Sequence, residues 1–156
     1  MREFQPKSLR QRALDYLGKR EYSYAELGQK LKTYLAVDED FEQITAVLED
    51  FKTRGWLSDA RFTEQIVHAR SHKFGASKIA NELREKGVAD DLIRDAIEKV
   101  KENELDNARE IWRKKFKNMP ASREEWAKQA RFLQSRGFGF DIIKKVLNSK
   151  HDSNDE

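Results

Sequence analysis

The sequence predicts an all-α protein made of three tandem helical repeats that stack on one another. Almost every apolar residue recurs at helical spacing, and no stretch alternates with period two for long enough to indicate a strand. Only 38% of the 156 residues are hydrophobic and another 38% are charged, so several thin helical cores are expected rather than one large core. The third observation is that one sequence pattern occurs twice, at 78–97 and at 128–147.

The repeated pattern is a leucine, two variable positions, a cation, a glycine and an apolar residue, followed by an acid and two aliphatic residues. At an offset of 50, the two copies have identical residues at these positions: Lys78/Lys128, Ala80/Ala130, Leu83/Leu133, Gly87/Gly137, Asp91/Asp141 and Ile93/Ile143. The glycine ends one helix, and the acid lies near the positive N-terminal end of the next. With one further helix before each copy, the unit is typical of a solenoid-like stack.

Residues 8–57 are predicted to form a first, diverged copy of this three-helix repeat. Its first helix has an apolar face over 9–17. The second helix begins with the capping box SYAE at 23–26 and leads into the acidic link VDED. The third helix has an apolar face over 41–51 and stops at Gly55.

The second repeat is predicted at 58–102, with Ser58 or Asp59 as the N-cap of the fourth helix. A glycine at position 75 is expected to end that helix. The fifth helix closes at Gly87, where a left-handed conformation costs glycine nothing, and a sixth helix follows it.

The third repeat is predicted at 103–149. Its seventh helix ends before Pro120, and the eighth begins with the capping box SREE at 122–125 and closes at Gly137. The ninth helix has an apolar face over 142–147.

An N-terminal arm at 1–7 and a disordered acidic tail at 150–156 are predicted to flank the repeats. The arm has no apolar run of signal-peptide length, and no segment approaches the length of a membrane span. The protein is therefore expected to be soluble and cytoplasmic, with no membrane partner.

Charge alternates in blocks along the chain, with a period near that of the repeat. The net charge is +4 over 1–35, +3 over 61–89 and +8 over 111–150, whereas the segments between them carry −5 and −4. Stacked repeats could collect the positive blocks on one side, which would suit a phosphate-rich partner. A solvated surface with no partner is the alternative.

No set of residues points to catalysis, a cofactor or a metal site. The chain has no cysteine, no glycine-rich phosphate loop and no GxSxG motif. Glu64, His68 and His72 share one helix face, but the histidines lack the glutamate of an HExxH motif and a third ligand nearby. These are predicted to be surface residues, and the protein is predicted not to be an enzyme.

The segment GWLSDARFTEQIVHARSHKFGASKIANELREKGV at 55–88 resembles the signature segment of the RecX family, the bacterial regulators of the RecA recombinase. The segment RFLQSRGFGFDIIKKVL at 131–147 resembles the closing repeat of that family. The likeness covers about 8–150 and is strongest from 55 to 147. Ser58 stands where the family usually has an acid.

The resemblance implies tandem three-helix bundles in an elongated, curved arrangement and a non-enzymatic, monomeric protein. It also implies binding to RecA and to its DNA filament, weak binding to single- or double-stranded DNA, and inhibition of ATP hydrolysis, filament extension and strand exchange. The predicted RecA or DNA contacts are Arg70, Lys73, Lys78, Arg84, Lys86, Arg131 and Arg136. The predicted structural positions are Gly55, Trp56, Phe62, Leu83, Gly87, Leu133 and Gly137.

Two other functions remain open at this point. Paired short helices around a glycine also describe a helix-turn-helix DNA reader, but here the third helices begin with Asp90 and Asp91 or with Asp141, which would repel phosphates. The other alternative is a helical-repeat scaffold that binds proteins alone, which should show no salt-dependent binding to DNA.

Overall fold

A computed structural model describes residues 6–35 and 41–148, and these contain nine α-helices and no strand. The helices are α1 (Leu9–Lys19), α2 (Tyr24–Lys32), α3 (Glu42–Thr53), α4 (Asp59–Arg70), α5 (Ala76–Glu85), α6 (Asp90–Glu102), α7 (Glu104–Lys115), α8 (Arg123–Ser135) and α9 (Phe140–Leu147). The all-α prediction is confirmed. Residues 1–5 of the predicted arm, the VDED link and the predicted tail at 150–156 lie outside the described residues.

Each set of three consecutive helices encloses a hydrophobic core of its own. We call α1–α3 bundle 1, α4–α6 bundle 2 and α7–α9 bundle 3. Phe51 is fully buried in the first core, Phe62 and Leu83 are buried in the second, and Leu133 is fully buried in the third. Separate cores follow from the low hydrophobic content, and they confirm the tandem three-helix architecture. Within the described ranges, no helix is long and apolar enough to cross a bilayer.

Three glycines adopt the left-handed conformation that the repeated pattern requires. Gly55, Gly87 and Gly137 have φ angles of +77°, +76° and +91°, and they follow α3, α5 and α8. A residue with a Cβ atom is disfavoured in this region, so glycine ends these helices at low cost. The apolar residue after each of the last two glycines, Val88 or Phe138, then folds back into the core of its bundle. Trp56, which follows Gly55, instead remains 43% exposed beside Phe51.

Three expectations about helix ends are wrong, and two of them concern Gly75 and the start of α2. Gly75 does not end α4, which stops at Arg70; it is the N-cap of α5, in an extended conformation. The expected capping box at 23–26 is only half formed, because Ser23 accepts from the Glu26 N–H while the Glu26 carboxylate binds cations elsewhere. Those cations are Arg20 and Lys86, and both reach the carboxylate from outside α2.

Two other predicted N-caps form through serine hydroxyls. The Ser58 hydroxyl, and not Asp59, accepts the N-capping hydrogen bond of α4, from the Arg61 N–H at 3.1 Å. Ser122 caps α8 through the Glu125 N–H at 3.1 Å, but the Glu125 carboxylate accepts from the Ala121 N–H instead of completing a capping box.

Candidate interaction surface

Two joints hold the three bundles in a row, and both use the same pair of positions. At the first joint, Asp59 at the start of α4 accepts a hydrogen bond from the Tyr24 N–H at the start of α2, at 2.7 Å. At the second joint, Glu104 at the start of α7 accepts from the Ala76 N–H at the start of α5, at 2.8 Å. The first amides of a helix have no acceptor inside that helix. Each bundle therefore caps the middle helix of the bundle before it.

The cations before Gly87 and Gly137 also belong to the joints, through their backbone carbonyls. The Lys86 carbonyl accepts from the Ser23 hydroxyl at 2.6 Å, and the Arg136 carbonyl accepts from the Gly75 N–H at 2.7 Å. These contacts fix Lys86 and Arg136 in position independently of what their side chains bind. The cation–glycine element of the repeated pattern therefore has a structural role at both joints.

The first joint contains a buried ionic cluster centred on Glu26, which is only 8% exposed. Its carboxylate accepts hydrogen bonds from the Arg20 guanidinium and from the Lys86 ammonium, each at 2.9 Å. Burial alone would raise the pKa of this carboxyl, but the bonds from Arg20 and Lys86 outweigh it and hold the pKa below its ordinary value. A more exposed pair, Arg61 and Glu21, joins the same two bundles at 2.8 Å.

The second joint depends on close backbone approach. A Cβ atom at Gly75 would lie 2.6 Å from the Gly137 carbonyl oxygen, and one at Gly137 would lie 2.8 Å from the Lys78 backbone nitrogen. The Ser77 N–H also donates to the Gly137 carbonyl oxygen, at 3.3 Å. This joint therefore leaves no room for side chains between the two backbones.

Cations and aromatic rings alternate across the second joint. Arg70 and Lys78 line one shallow pocket of about 280 Å³ together with Phe74. The Lys78 ammonium lies 5.0 Å from the centre of the Phe74 ring, and the Arg136 guanidinium lies 5.7 Å from it on the bundle 3 side. Both distances are within the range of a cation–π contact.

The alternation continues into bundle 3 around Phe132. The Arg136 guanidinium is 5.2 Å from the centre of this ring, and the Lys115 ammonium is 5.8 Å from it. Phe116 packs edge-on against Phe132, with ring centres 5.4 Å apart. We call this surface the cation–aromatic strip, and its members are Arg70, Phe74, Lys78, Lys115, Phe132 and Arg136.

Most cations of the strip are not neutralised by carboxylates. Arg70 forms a salt bridge with Glu82 at 2.9 Å. Lys78 donates to the Ser135 carbonyl oxygen, and in the described part of the chain no salt bridge involves Lys78, Arg136 or Lys115. The strip therefore carries excess positive charge beside half-buried aromatic rings.

The remaining predicted contact residues are not members of the strip. Arg84 lines a groove of about 560 Å³ between bundles 2 and 3, with Lys101 and Lys145, and its guanidinium also donates to Asn81 at 2.7 Å. Lys86 is held in the first joint by Glu26. Lys73 and Arg131 are exposed, and neither forms an ion pair within 6–35 and 41–148.

Sequence reasoning missed the aromatic members of the strip and the acids of the joints. Phe74 stands next to Lys73 in the KFG segment, and a cation beside an aromatic residue was the available signal. Asp59, Glu104 and Glu26 gave no such signal, because the partners that they bind across a joint are far away in sequence. Across the residues described, no group of three or more potential ligands is arranged to hold a metal.

Two family models match this chain: the second three-helix domain of RecX at 58–97 and the third three-helix domain of RecX at 102–147. The regulatory protein RecX of Leptothrix cholodnii is 45% identical over 140 residues, which cover 90% of this chain and 87% of that protein. The regulatory protein RecX of Chromobacterium violaceum is 42% identical over 141 residues and 90% of each chain. The crystal structure of RecX from Lactobacillus salivarius superimposes with a TM-score of 0.76 at 20% identity, over 90% of this chain and 93% of that one. The chain belongs to the RecX family of regulatory proteins.

Proposed function

We propose that the protein binds RecA and the RecA–DNA filament, and that it inhibits ATP hydrolysis, filament extension and strand exchange. The printed name of its relatives, regulatory protein RecX, supports a regulatory role. The observation that carries the proposal is the cation–aromatic strip, because it lies across a joint whose two sides are fixed by backbone contacts.

The chemistry of the strip suits a nucleic-acid strand inside a protein filament. Lysine and arginine side chains bind phosphates without regard to sequence, and exposed ring faces or guanidinium planes stack on bases. Lys78 and Arg136 contribute charge from two different bundles, so a strand lying on the strip would contact both bundles at once.

The proposed mechanism relies on the succession of three bundles along the chain. α4 has 12 residues and is about 18 Å long, and three bundles in a row span several times the width of one helix. In the proposed mechanism, the three successive bundles contact neighbouring protomers of the filament. A rod bound to more than one protomer would oppose the rearrangements that filament growth and strand exchange require.

The test is the rate of ATP hydrolysis by RecA on single-stranded DNA as purified protein is added. We expect inhibition by the wild-type protein and weaker inhibition by a Lys78→Glu, Lys115→Glu variant of the strip. The matched control is Lys30→Glu, Arg94→Glu, which makes the same change in charge at exposed positions outside the strip. An unchanged rate with wild-type protein in stoichiometric excess would reject the proposed function.

A further inference from the structure

A second groove lies along bundle 2 between α4 and α6, and no residue of α5 lines it. Its main part has a volume of about 630 Å³ and extends to the start of α7 in bundle 3. Ala60 and Leu92 also line a neighbouring groove of about 620 Å³ that reaches α2 and α3 of bundle 1. We call the two together the α4/α6 groove, which is lined by residues of all three bundles.

The lining of the main part includes apolar residues, some of them small. Its apolar members are Ala60, Val67, Leu92, Ala96 and Val100. Small side chains allow another helix to approach closely, and the 12 residues of α4 give the groove a length of about 18 Å, or three helical turns. The wall also includes Thr63, which is only 4% exposed and whose hydroxyl oxygen has no hydrogen-bond partner in the described part of the chain.

Carboxylates line both walls of this part of the groove. Glu64 on α4 and Asp95 on α6 line its two sides, and within the described residues neither forms a salt bridge. Asp106 lies at the α7 end, and Lys99 is the one lysine or arginine among the described residues that line this part. Unpaired carboxylates repel phosphates and attract lysine and arginine side chains. The charge of the groove is therefore opposite to that of the strip.

We propose that the α4/α6 groove docks an amphipathic helix of a protein partner, with its apolar face on Val67, Leu92 and Ala96 and its lysines or arginines beside Glu64 and Asp95. This inference rests on the proposed function, because the partner helix is assigned to a RecA protomer. The protein then has two surfaces with different ligands: the groove binds protein, and the strip binds nucleic acid. A helix fits better than an extended peptide because the groove runs parallel to two helices and has no unpaired strand edge.

The experiment compares two variants with equal changes of charge. The Glu64→Lys, Asp95→Lys variant reverses the charge on both walls of the groove. The control variant, Glu98→Lys, Glu102→Lys, makes the same change in charge at exposed positions of α6 that do not line the groove. Binding to DNA-free RecA is measured by biolayer interferometry, and binding to a labelled single-stranded oligonucleotide is measured by fluorescence anisotropy. Circular dichroism verifies that each variant keeps its helical content.

We expect the groove variant to bind RecA about tenfold more weakly, as is typical for charge reversal at an interface, and the control to stay within about twofold of wild type. Both variants should bind the oligonucleotide equally well. If Glu64→Lys, Asp95→Lys disturbs folding, Glu64→Gln, Asp95→Asn removes the charges at nearly constant shape and should still weaken RecA binding.

Equal RecA affinities for the groove variant and its control would overturn the groove assignment while leaving the proposed function intact. A selective change in oligonucleotide binding by the groove variant would also overturn it, because the groove would then contact nucleic acid. Failure of the wild-type protein to bind RecA, with or without DNA, would instead overturn the proposed function and this inference together.

Discussion

A position can require glycine for two physical reasons: a left-handed backbone conformation, or close approach of another backbone. Three glycines of this chain distinguish the two. Gly55 has a φ of +77°, and no other described residue beyond its chain neighbours comes within 4 Å of where a Cβ atom would lie, so alanine there meets only the cost of the left-handed conformation. Gly75 is not left-handed, but its Cβ would lie 2.6 Å from the Gly137 carbonyl oxygen and 2.7 Å from the Phe138 ring. Gly137 combines a φ of +91° with a 2.8 Å approach to the Lys78 nitrogen.

The expected losses of stability follow from these distances. Gly55→Ala should cost about 1–2 kcal/mol from backbone conformation alone. Gly75→Ala should cost about 1–3 kcal/mol, because a backbone carbonyl cannot move aside as a flexible side chain does. Gly137→Ala should cost roughly the sum of the two, about 2–5 kcal/mol. Gly18→Ala is the control: Gly18 lies inside α1, and a Cβ atom there would come within 4 Å of no described residue outside that helix segment, so the change should be neutral or slightly stabilising.

Urea unfolding gives the overall free energy of unfolding, and amide hydrogen exchange locates the loss. The Ser77 N–H, which is bonded to Gly137 across the joint, should exchange roughly tenfold faster or more in Gly75→Ala. The Leu31 amide in the core of bundle 1 should be unchanged. The joint geometry would be refuted if Gly75→Ala matched wild type in stability and Ser77 stayed protected, or if Gly137→Ala cost no more than Gly55→Ala.

Three further predictions concern the acids of the joints. Glu26→Gln should destabilise the protein by about 1–2 kcal/mol, because Arg20 and Lys86 lose a charged acceptor but keep access to water; Glu21→Gln, which affects the more exposed pair with Arg61, should cost less than about 1 kcal/mol in the same urea titration. Because the pKa of Glu26 is lowered in the folded protein, its stabilising contribution is complete above its ordinary pKa of 4.5 and is lost as the pH falls below that value. The urea midpoint should therefore fall more steeply in wild type than in Glu26→Gln as the pH is lowered from 6 to 3.5, and parallel curves would contradict the assignment. Glu104→Ala should lower the free energy of unfolding by about 1 kcal/mol and expose the Ala76 amide to hydrogen exchange. Glu104→Gln should retain most of the stability, because its side-chain amide oxygen still accepts the hydrogen bond. Glu102→Ala is the control and should have no effect.

The parts of the fold that depend on local order were predictable from the sequence. Helical spacing of apolar residues locates all the described helices, and the glycines at 55, 87 and 137 adopt the left-handed conformation that ends a helix. Both signals act over a few residues, so one sequence contains them in full. Two predicted capping boxes are incomplete because the carboxylates of Glu26 and Glu125 accept hydrogen bonds from other donors.

The joints could not be predicted, because their partners are distant in sequence. The Ala76 amide and its acceptor Glu104 are 28 residues apart, and the Tyr24 amide and Asp59 are 35 residues apart. For the same reason Gly75 was expected to end a helix, although its function is to let two backbones meet. A predicted contact cation can also be paired within the protein, as Lys86 is in its salt bridge with Glu26.

The way each bundle caps the one before it has a consequence for how the chain folds on the ribosome. Bundle 1 leaves the exit tunnel first, yet the acceptor for its Tyr24 amide is on Asp59, which is synthesised later. Bundle 2 likewise lacks its contacts with Glu104 and Gly137 until bundle 3 has been synthesised. The nascent chain therefore gains order from its N-terminus but reaches full stability only when the last bundle has emerged, so a truncated chain that ends after α6 would leave the start of α5 open to proteases.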